Sequence, residues 1–250
     1  MSRLLLCDVR GPVGDLFQKL SGEEGGQWLE ALNKMLRREN PFGVREEEAK
    51  EVPLPLTWLG AIEKSYGLLG LAREYAEFQK EFSPIEEVPD RWALPMVKGV
   101  TCNRVASTLR QAGSGFSSYY EDMDEAVPTN QRDPNRDGSY VASVKAVVEA
   151  DEENKNQSAQ QRGEQGCQDI TLAERLFLEL VYSLKTGKHL DIQNWTLCAG
   201  SRDAGGYVPS VSFVPGSGEV YVDWGSLSDH SGGLRARSVV SSPPKQAKPV

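Results

Sequence analysis

The sequence predicts an α+β protein, with helices concentrated in its first part and strands near its end. Helical periodicity of apolar residues recurs through the first 82 residues and again after Thr171. Between Tyr207 and Ser241, short runs of alternating apolar and polar residues are separated by glycine and proline, which is typical of strands and turns. Helices and strands that occupy separate parts of one chain indicate the α+β class.

The first part, residues 1–95, is predicted to be a small, mostly helical N-terminal domain. Residues 12–20 fit a short helix, and GGQWLEALNKMLRREN places its apolar residues at helical spacing. A further helix is expected over residues 58–82, with an interruption near Gly67 and Gly70. Prolines 84, 89 and 95 mark a connector, so the domain boundary is placed near residues 90–95. We interpret the apolar residues at helical spacing as part of the hydrophobic core. The alternative is a helix that binds a partner.

A second domain is predicted for residues 96–242, and it begins with three segments of different character. Residues 101–112 fit a helix that Gly113 ends, and residues 140–148 alternate well enough to form a strand. The polar stretch EADEENKNQSAQQRGEQG, residues 149–166, is expected to be solvated.

The clearest predicted helix of the chain lies in ITLAERLFLELVYSLKTG. Thr171 and Glu174 have the Thr-x-x-Glu spacing of a capping box, directly before an apolar run. Leucines recur every four residues from Leu172 to Leu184, which gives a wide apolar face. Gly187 supplies the C-terminal stop. We expect this helix to pack against a sheet or another helix.

After Trp195 the sequence predicts short strands and turns. VPSVSF and EVYVDW alternate in polarity and PGSG between them is a turn. LRARSVVS is predicted to be the final strand, and residues 243–250 a disordered tail.

Charge and hydropathy exclude several classes of function. The net charge is −8, whereas nucleic-acid binding requires a basic surface. No apolar run approaches the length that a bilayer crossing needs, and the first residues lack the features of a signal peptide, so a cytoplasmic location is expected. The four cysteines are far apart and none forms a CxxC pair, so reduced thiols are predicted and a disulfide or reactive thiol is the alternative.

Three kinds of motif that could carry chemistry are interpreted as structural. DPNRDG, residues 133–138, has the opening of a calcium loop, but Val144 occupies the position of its bidentate Glu, so an Asp/Asn/Gly turn is favoured over a partial calcium site. The glycine-rich stretches lack phosphate-loop spacing. His189 and Asp191 occur without the G-x-S-x-G elbow of a hydrolase. We therefore predict no catalytic residue, no metal and no cofactor.

The composition of residues 201–233 differs from that of the rest of the chain. Glu, Lys, Gln, Met and Trp together account for 56 of the 250 residues, yet only Glu219 and Trp224 represent them among these 33. Turns and strands disfavour helix-forming residues, which explains part of the depletion.

At these residues the chain resembles a known family. ITLAERLFLELVYSLKTGKHLDIQNWTLCAGSR, followed by a variable-looking stretch and LRARSVVS, resembles the variable proteins of diversity-generating retroelements. The resemblance covers about residues 100–242. It implies a C-type-lectin-like domain, of the subgroup related to formylglycine-generating enzymes. It also implies that adenine-directed rewriting of asparagine codons diversifies the last part of the gene, and such rewriting cannot produce Lys, Glu, Gln, Met or Trp.

The resemblance implies a division of the C-terminal segment into framework and ligand-binding positions. We expect framework at residues 198–202, Val208, Pro209, Val211, Tyr221, Val222, Trp224, Leu234, Arg235 and Arg237. We expect a variable, ligand-binding surface at Asp203, Tyr207, Ser210, Ser212, Phe213, Asp223, Gly225, Ser226, Asp229 and His230.

The sequence thus predicts a non-enzymatic, hypervariable protein that binds a protein or other macromolecular ligand through residues 203–232. An enzyme or carbohydrate-binding module on the same fold is the alternative. However, the related enzymes need paired cysteines, whereas Cys198 stands alone in this region, and no Glu-Pro-Asn sugar motif is present. A third hypothesis is an interaction protein that binds its partner mainly through the helical N-terminal domain.

Overall fold

The structure of the protein is a computed structural model that describes residues 6–37, 56–82 and 88–242, with side chains for residues 13–37, 56–82 and 88–241. The chain forms two compact units, Met1–Leu54 and Pro55–Val250. The predicted disordered tail, residues 243–250, lies outside the described residues, as does the side chain of Cys7.

The first unit contains two described helices, α1 (Leu6–Leu20) and α2 (Gly25–Leu36). Both are predicted by the periodicity, although α1 begins earlier than the sequence suggests. Gly25 enables the sharp turn between them, because a Cβ atom at that position would lie 2.2 Å from the carbonyl oxygen of Leu20.

The second unit combines helices with short strands, in agreement with the predicted α+β class. Its described helices are α3 (Trp58–Leu68), α4 (Ala72–Glu81), α5 (Cys102–Gln111), α6 (Met123–Ala126), α7 (Pro134–Asp137), α8 (Ala159–Glu164) and α9 (Leu172–Thr186), with a 3-10 turn at Glu152–Asn154. Its described strands are β1 (Arg91–Met96), β2 (Gly115–Ser118), β3 (Thr129–Asn130), β4 (Tyr140–Lys145), β5 (Trp195–Leu197), β6 (Ser201–Arg202), β7 (Val208–Val214), β8 (Glu219–Gly225), β9 (Leu234–Ala236) and β10 (Val240–Ser242).

The strands form two main sheets and one small ribbon. In the three-stranded sheet, β4 lies between β1 and β10 and pairs antiparallel with both, so the first and last described strands share one sheet. The second sheet has the order β2-β8-β7-β5-β9. Here β7 pairs antiparallel with β8 and β5, while β2 pairs parallel with β8 and β9 parallel with β5. Strands β3 and β6 form the ribbon.

Helix α9 is the centre of the core, and its predicted signals are confirmed. The Thr171 hydroxyl accepts from the Glu174 amide while the Glu174 carboxylate accepts from the Thr171 amide, which completes the capping box. Gly187 ends the helix in the left-handed region, with φ of 66°. The Glu174 carboxylate also pairs with the Arg132 guanidinium at 2.8 Å, which joins the helix start to the loop before α7.

Helices α3 and α4 belong to the same core as α9. Tyr66 of α3 is fully buried between Tyr75 of α4, with ring centroids 4.5 Å apart, and Phe177 of α9, at 5.0 Å. The Tyr66 hydroxyl donates to the carbonyl oxygen of Pro95 in β1. The division between the two units, at Leu54, therefore lies well before the boundary near residues 90–95 that the prolines suggest.

The polar stretch of residues 149–166 is folded, and the expectation that it is solvated is wrong for its buried residues. Arg162 of α8 is 2% exposed. Its guanidinium donates to the Asp169 carboxylate at 2.6 Å, to Asn154 Oδ1 at 2.7 Å and to Ser238 Oγ at 3.1 Å. A buried charge is tolerated when it is paired and fully hydrogen-bonded, as this one is. The Arg162 cluster therefore ties the stretch to the C-terminal strands.

A second buried charge cluster joins α9 to the end of the chain. The Asp191 carboxylate lies between the guanidinium groups of Arg175 in α9, at 2.9 Å, and Arg237 after β9, at 2.7 Å. All three side chains are fully buried. Arg237 also donates to the carbonyl oxygens of Val147 and Val148, at 2.9 and 2.7 Å. Such contacts fix the relative positions of three distant segments.

Because of the Asp191 cluster, we expect the unfolding free energy of the protein to change with pH in the acid range. Burial raises the pKa of Asp191, but Arg237, Arg175 and the hydrogen bond from the Thr196 hydroxyl together outweigh that effect and hold the pKa below its usual value. A lowered folded-state pKa stabilises the fold above the unfolded-state pKa, about 4, and this contribution is lost as the pH falls through the folded-state value. We expect the difference in unfolding free energy between the native protein and Asp191→Asn to be largest at neutral pH and to narrow towards pH 3. A difference that stays constant, measured by urea denaturation, would contradict this assignment.

Among residues 6–37, 56–82 and 88–242, no helix has the combination of length and hydropathy that crossing a membrane requires.

Candidate functional site

Loops from three parts of the sequence lie together at one end of the five-stranded sheet. The pairing of Val208 with Gly225 places the start of β7 beside the end of β8. Because β2 runs parallel to β8, with Ser118 beside Val222, the end of β2 lies at the same edge. The segments 119–122, 203–207 and 226–233 therefore emerge next to one another, although more than half of the second unit's sequence separates the first from the last.

Three aromatic side chains meet at this end of the sheet and form a group that we call the aromatic cluster: the exposed Tyr119 and Tyr207, from two of these segments, and the half-buried Trp224, from the end of β8. The Trp224 ring lies 5.3 Å from that of Tyr119 and 4.5 Å from that of Tyr207, measured between centroids. The interplanar angles are 55° and 73°, so ring edges meet ring faces. Tyr119 is 61% exposed and Tyr207 is 41% exposed. Large exposed aromatic groups of this kind are typical of interaction surfaces.

Asp203 holds the loop before β7 in a fixed shape beside the aromatic cluster. Its Oδ1 atom accepts from the amides of Gly205 and Tyr207, both at 2.8 Å. Its Oδ2 atom accepts from the Tyr120 hydroxyl at 3.2 Å. Burial and the neighbouring Asp203 carboxylate raise the pKa of Tyr120, so this phenol stays protonated and donates. The position of Tyr207 is thereby preorganised.

The loop after β8 is held by its own side chains. The Asp229 carboxylate accepts from the Ser226 amide at 2.7 Å, and the Asp229 amide donates to the Ser226 carbonyl at 3.0 Å. His230 Nδ1 lies 3.0 Å from the Ser228 carbonyl oxygen. A Cβ atom at Gly225 would lie 2.9 Å from Asp229 Oδ2, so any other residue at this position requires the carboxylate to move. The loop is therefore a defined turn with an exposed outer surface.

The ten positions predicted to bind a ligand differ in exposure. Three of them are exposed, namely Tyr207, Asp229 and His230. Five are half-buried: Asp203, Phe213, Asp223, Gly225 and Ser226. Ser210 and Ser212 are buried, at 8% and 3% exposure, so they do not form part of the exposed surface that the sequence predicts. Phe213 lies apart from the loops, because it is five residues beyond Val208 along β7, or about 16 Å. There its ring stacks on His189 at 3.8 Å.

A second layer of apolar residues explains why the two serines are buried. Ser210 and Ser212 point to the opposite face of the sheet from Val211, which belongs to the main core. That opposite face carries its own small core, formed by Ala159 of α8 together with Leu197, Ala199, Val208 and Ala236. Valines 208 and 211 are thus both buried, on different faces, and β7 has little free surface along its length.

This burial gives a direct test at Ser212. We expect Ser212→Tyr to lower the unfolding free energy by about 1–3 kcal/mol, because the larger side chain overpacks a closed site. The matched variant Ser231→Tyr, at an exposed position of the loop after β8, should change it by about 0.5 kcal/mol or less. Urea denaturation of both variants measures the difference, and equal effects would show that Ser212 is open to solvent.

Three residues of the site are not among the predicted ligand-binding positions. Tyr119 and Tyr120 belong to the loop after β2, far before the C-terminal segment, and Trp224 is predicted as framework. Two adjacent tyrosines in the polar stretch SGFSSYYED are a sequence signal for exposed aromatic side chains. Their position beside Tyr207 follows only from the parallel pairing of β2 with β8.

The residues considered for catalysis lie elsewhere and have structural contacts. Asp191 is enclosed by its two arginines, and His189 Nδ1 contacts the buried Glu179 carboxylate at 2.9 Å. Burial raises the pKa of the Cys198 thiol, which favours the unreactive protonated form. Cys102, Cys167 and Cys198 are free, in agreement with the predicted reduced thiols.

The DPNRDG segment forms a capped turn. Asp133 accepts from the Asn135 amide at 2.8 Å as the N-cap of α7, and Asn135 in turn contacts Gly99 and Val100. A cavity of about 260 Å³ lies beside this turn. Its polar side chains Arg132, Asp133 and Asn135 already have protein partners. Within the described side chains, no three His, Cys, Asp or Glu residues are grouped as metal ligands.

No model of a protein family, no curated protein and no solved structure matches this chain.

Proposed function

We propose that this protein is a hypervariable ligand-binding protein, diversified by a retroelement, which binds a macromolecular partner through the loops at one end of its five-stranded sheet. The observation that carries the proposal is the aromatic cluster. Tyr207 and Trp224 come from the segment with the unusual composition, and they meet Tyr119 on an exposed surface. Rigid aromatic side chains on short loops give contact area at a small entropic cost.

The distribution of buried residues supports this proposal. A binding surface can tolerate many different side chains only if stability comes from elsewhere. In the second unit the core around α9 and the arginine clusters at Arg132, Arg162 and Arg237 lie outside the three loops. The loops 203–207 and 226–233 are held by backbone-directed contacts of Asp203 and Asp229. Neighbouring outward side chains can then change without loss of the core.

We further propose that the part from β1 to β10 is a C-type-lectin-like domain. The pairing of β1 and β10 with the same central strand, β4, brings the two ends of this part together. Helices α5 and α9 pack with the core, and the long segment between β4 and α9 contains no described strand, only a 3-10 turn and the short helix α8. These features support the fold that the sequence resemblance implies.

The most direct test of this function is the DNA that flanks the coding region. We expect a reverse transcriptase gene nearby, with a near-repeat of the sequence that encodes residues 200–235. Differences between the two copies should fall at adenines of the repeat, and they should coincide with codons of exposed loop positions such as Tyr207 and His230. A locus with neither a reverse transcriptase gene nor a repeat would contradict the proposal.

A further inference from the structure

We propose that the aromatic cluster binds the guanidinium group of an arginine side chain on the surface of a partner protein. This inference depends on the proposed function, because it assigns a ligand chemistry to the same surface. The geometry of the three rings and the charge of the loops around them point to this occupant.

The rings are arranged so that a cation can contact more than one of them. Tyr119 and Tyr207 meet the Trp224 ring at 55° and 73°, and Tyr119 meets Tyr120 at 84°, so none of these pairs is stacked face to face. A guanidinium within about 6 Å of an aromatic centroid is attracted by the negative face of the ring, and Trp attracts it most strongly. The exposure of the two tyrosines leaves room for a side chain to approach.

The surrounding loops carry negative charge, and the nearest lysine, Lys155 beside Gly232, is paired with Glu152 at 3.5 Å. From residue 203 to residue 234 the sequence contains neither Lys nor Arg, and of its four carboxylates Asp203, Asp223 and Asp229 lie at this end of the sheet, whereas Glu219 begins β8 at the other end. Arg202 precedes this segment, but its guanidinium donates to the carbonyl oxygens of Ala199 and Ser201, at 2.8 and 2.6 Å. A cationic ligand is therefore complementary to this surface, whereas an anionic ligand would be repelled.

Asp203 is placed to select a donor group. Three of its roughly four lone-pair sites are occupied by Gly205, Tyr207 and Tyr120, which leaves acceptor capacity on Oδ2. Its carboxylate is fixed in place before any ligand arrives, so little ordering is needed on binding. Arginine combines a planar group that stacks on aromatic rings with donors that pair with a carboxylate. Lysine offers only the second feature together with a strongly hydrated charge, so we expect it to bind more weakly.

The experiment uses the full-length protein and four short peptides that differ only at the central residue: Gly-Ser-X-Ser-Gly, acetylated and amidated, with X as arginine, lysine, norleucine or glutamate. NMR follows the indole N–H signal of Trp224, assigned from its absence in Trp224→Phe. We expect a saturable shift with the arginine peptide, weaker binding of the lysine peptide, and none with the other two. Raising the salt concentration should weaken the binding.

Variants identify the groups that bind. Tyr119→Ala and Asp203→Asn should each weaken binding of the arginine peptide by about fivefold or more. Asn keeps an acceptor oxygen for the loop amides, so the fold around Tyr207 should persist. Asp90→Asn removes the same charge at an exposed position of the other sheet, and Tyr221→Ala removes a tyrosine from the opposite face of β8. Both controls should bind within about twofold of the native protein.

Three results would overturn the inference: no saturable shift with the arginine peptide, equal binding of the norleucine or lysine peptide, or unchanged binding by Tyr119→Ala and Asp203→Asn. None of them would affect the proposed function, because the repeat in the flanking DNA does not depend on the charge of the ligand. Conversely, if the arginine peptide binds but the flanking DNA contains no repeat, the protein has a cation-binding surface and the proposed diversification by a retroelement is wrong.

Discussion

Replacing Phe177 with alanine should lower the unfolding free energy of the protein by about 3–5 kcal/mol. Phe177 is fully buried on α9, and its ring lies 5.0 Å from that of Tyr66, which stacks on Tyr75 at 4.5 Å. The substitution removes an aromatic contact between α3 and the central helix, and the rigid aromatic neighbours cannot close the cavity.

Urea denaturation of Phe177→Ala measures this loss, and Tyr119→Ala provides the matched control. Tyr119 is also aromatic, but it is 61% exposed, so its removal should change the unfolding free energy by about 0.5–1 kcal/mol. Equal losses from the two variants would mean that the aromatic cluster is part of the stabilising core.

Replacing Arg237 with methionine should also lower the unfolding free energy by about 3–5 kcal/mol, because it removes one partner from a buried ion pair. Methionine fills a similar volume, so packing changes little. The change leaves the carbonyl oxygen of Val147 without its donor, that of Val148 with only the Asp191 amide, and the Asp191 carboxylate with one guanidinium in place of two. The loss of these two hydrogen bonds adds to the cost of the lost charge pair.

The exposed pair of Arg136 and Asp137, at 2.6 Å, supplies the comparison. Arg136→Met should change the unfolding free energy by about 1 kcal/mol or less, since solvent screens this pair. A loss of that small size for Arg237→Met would show that the Asp191 cluster does not stabilise the fold.

Helix α9 and strands β7 and β8 are predicted well because their signals are local. Thr171, Glu174 and Gly187 mark the ends of the helix, and alternation of side chains marks the strands. The burial of Arg162 could not be predicted, because a polar stretch is ordinarily solvated. Its partners Asp169 and Ser238 meet it only when distant segments are brought together.

The sequence also predicts only part of the candidate site. Tyr207, Asp229 and His230 lie on exposed loops because the glycine-rich turns and acidic caps around them are local features. Ser212 is buried because a second layer of apolar residues covers its face of the sheet, which no pattern within β7 reveals. Tyr119 reaches the site through the pairing of β2 with β8, a contact between residues far apart in the sequence.

The central claim is that the buried core and charge clusters stabilise this fold while the loops at the sheet end are free to vary. The most direct measurement is the unfolding free energy of one variant that carries Tyr207→Ser, Ser226→Asn, His230→Ser and Ser231→Asn together. We predict a total loss within about 2 kcal/mol, because each change affects a loop surface and the effects nearly add. A loss as large as that of Phe177→Ala alone would contradict the account.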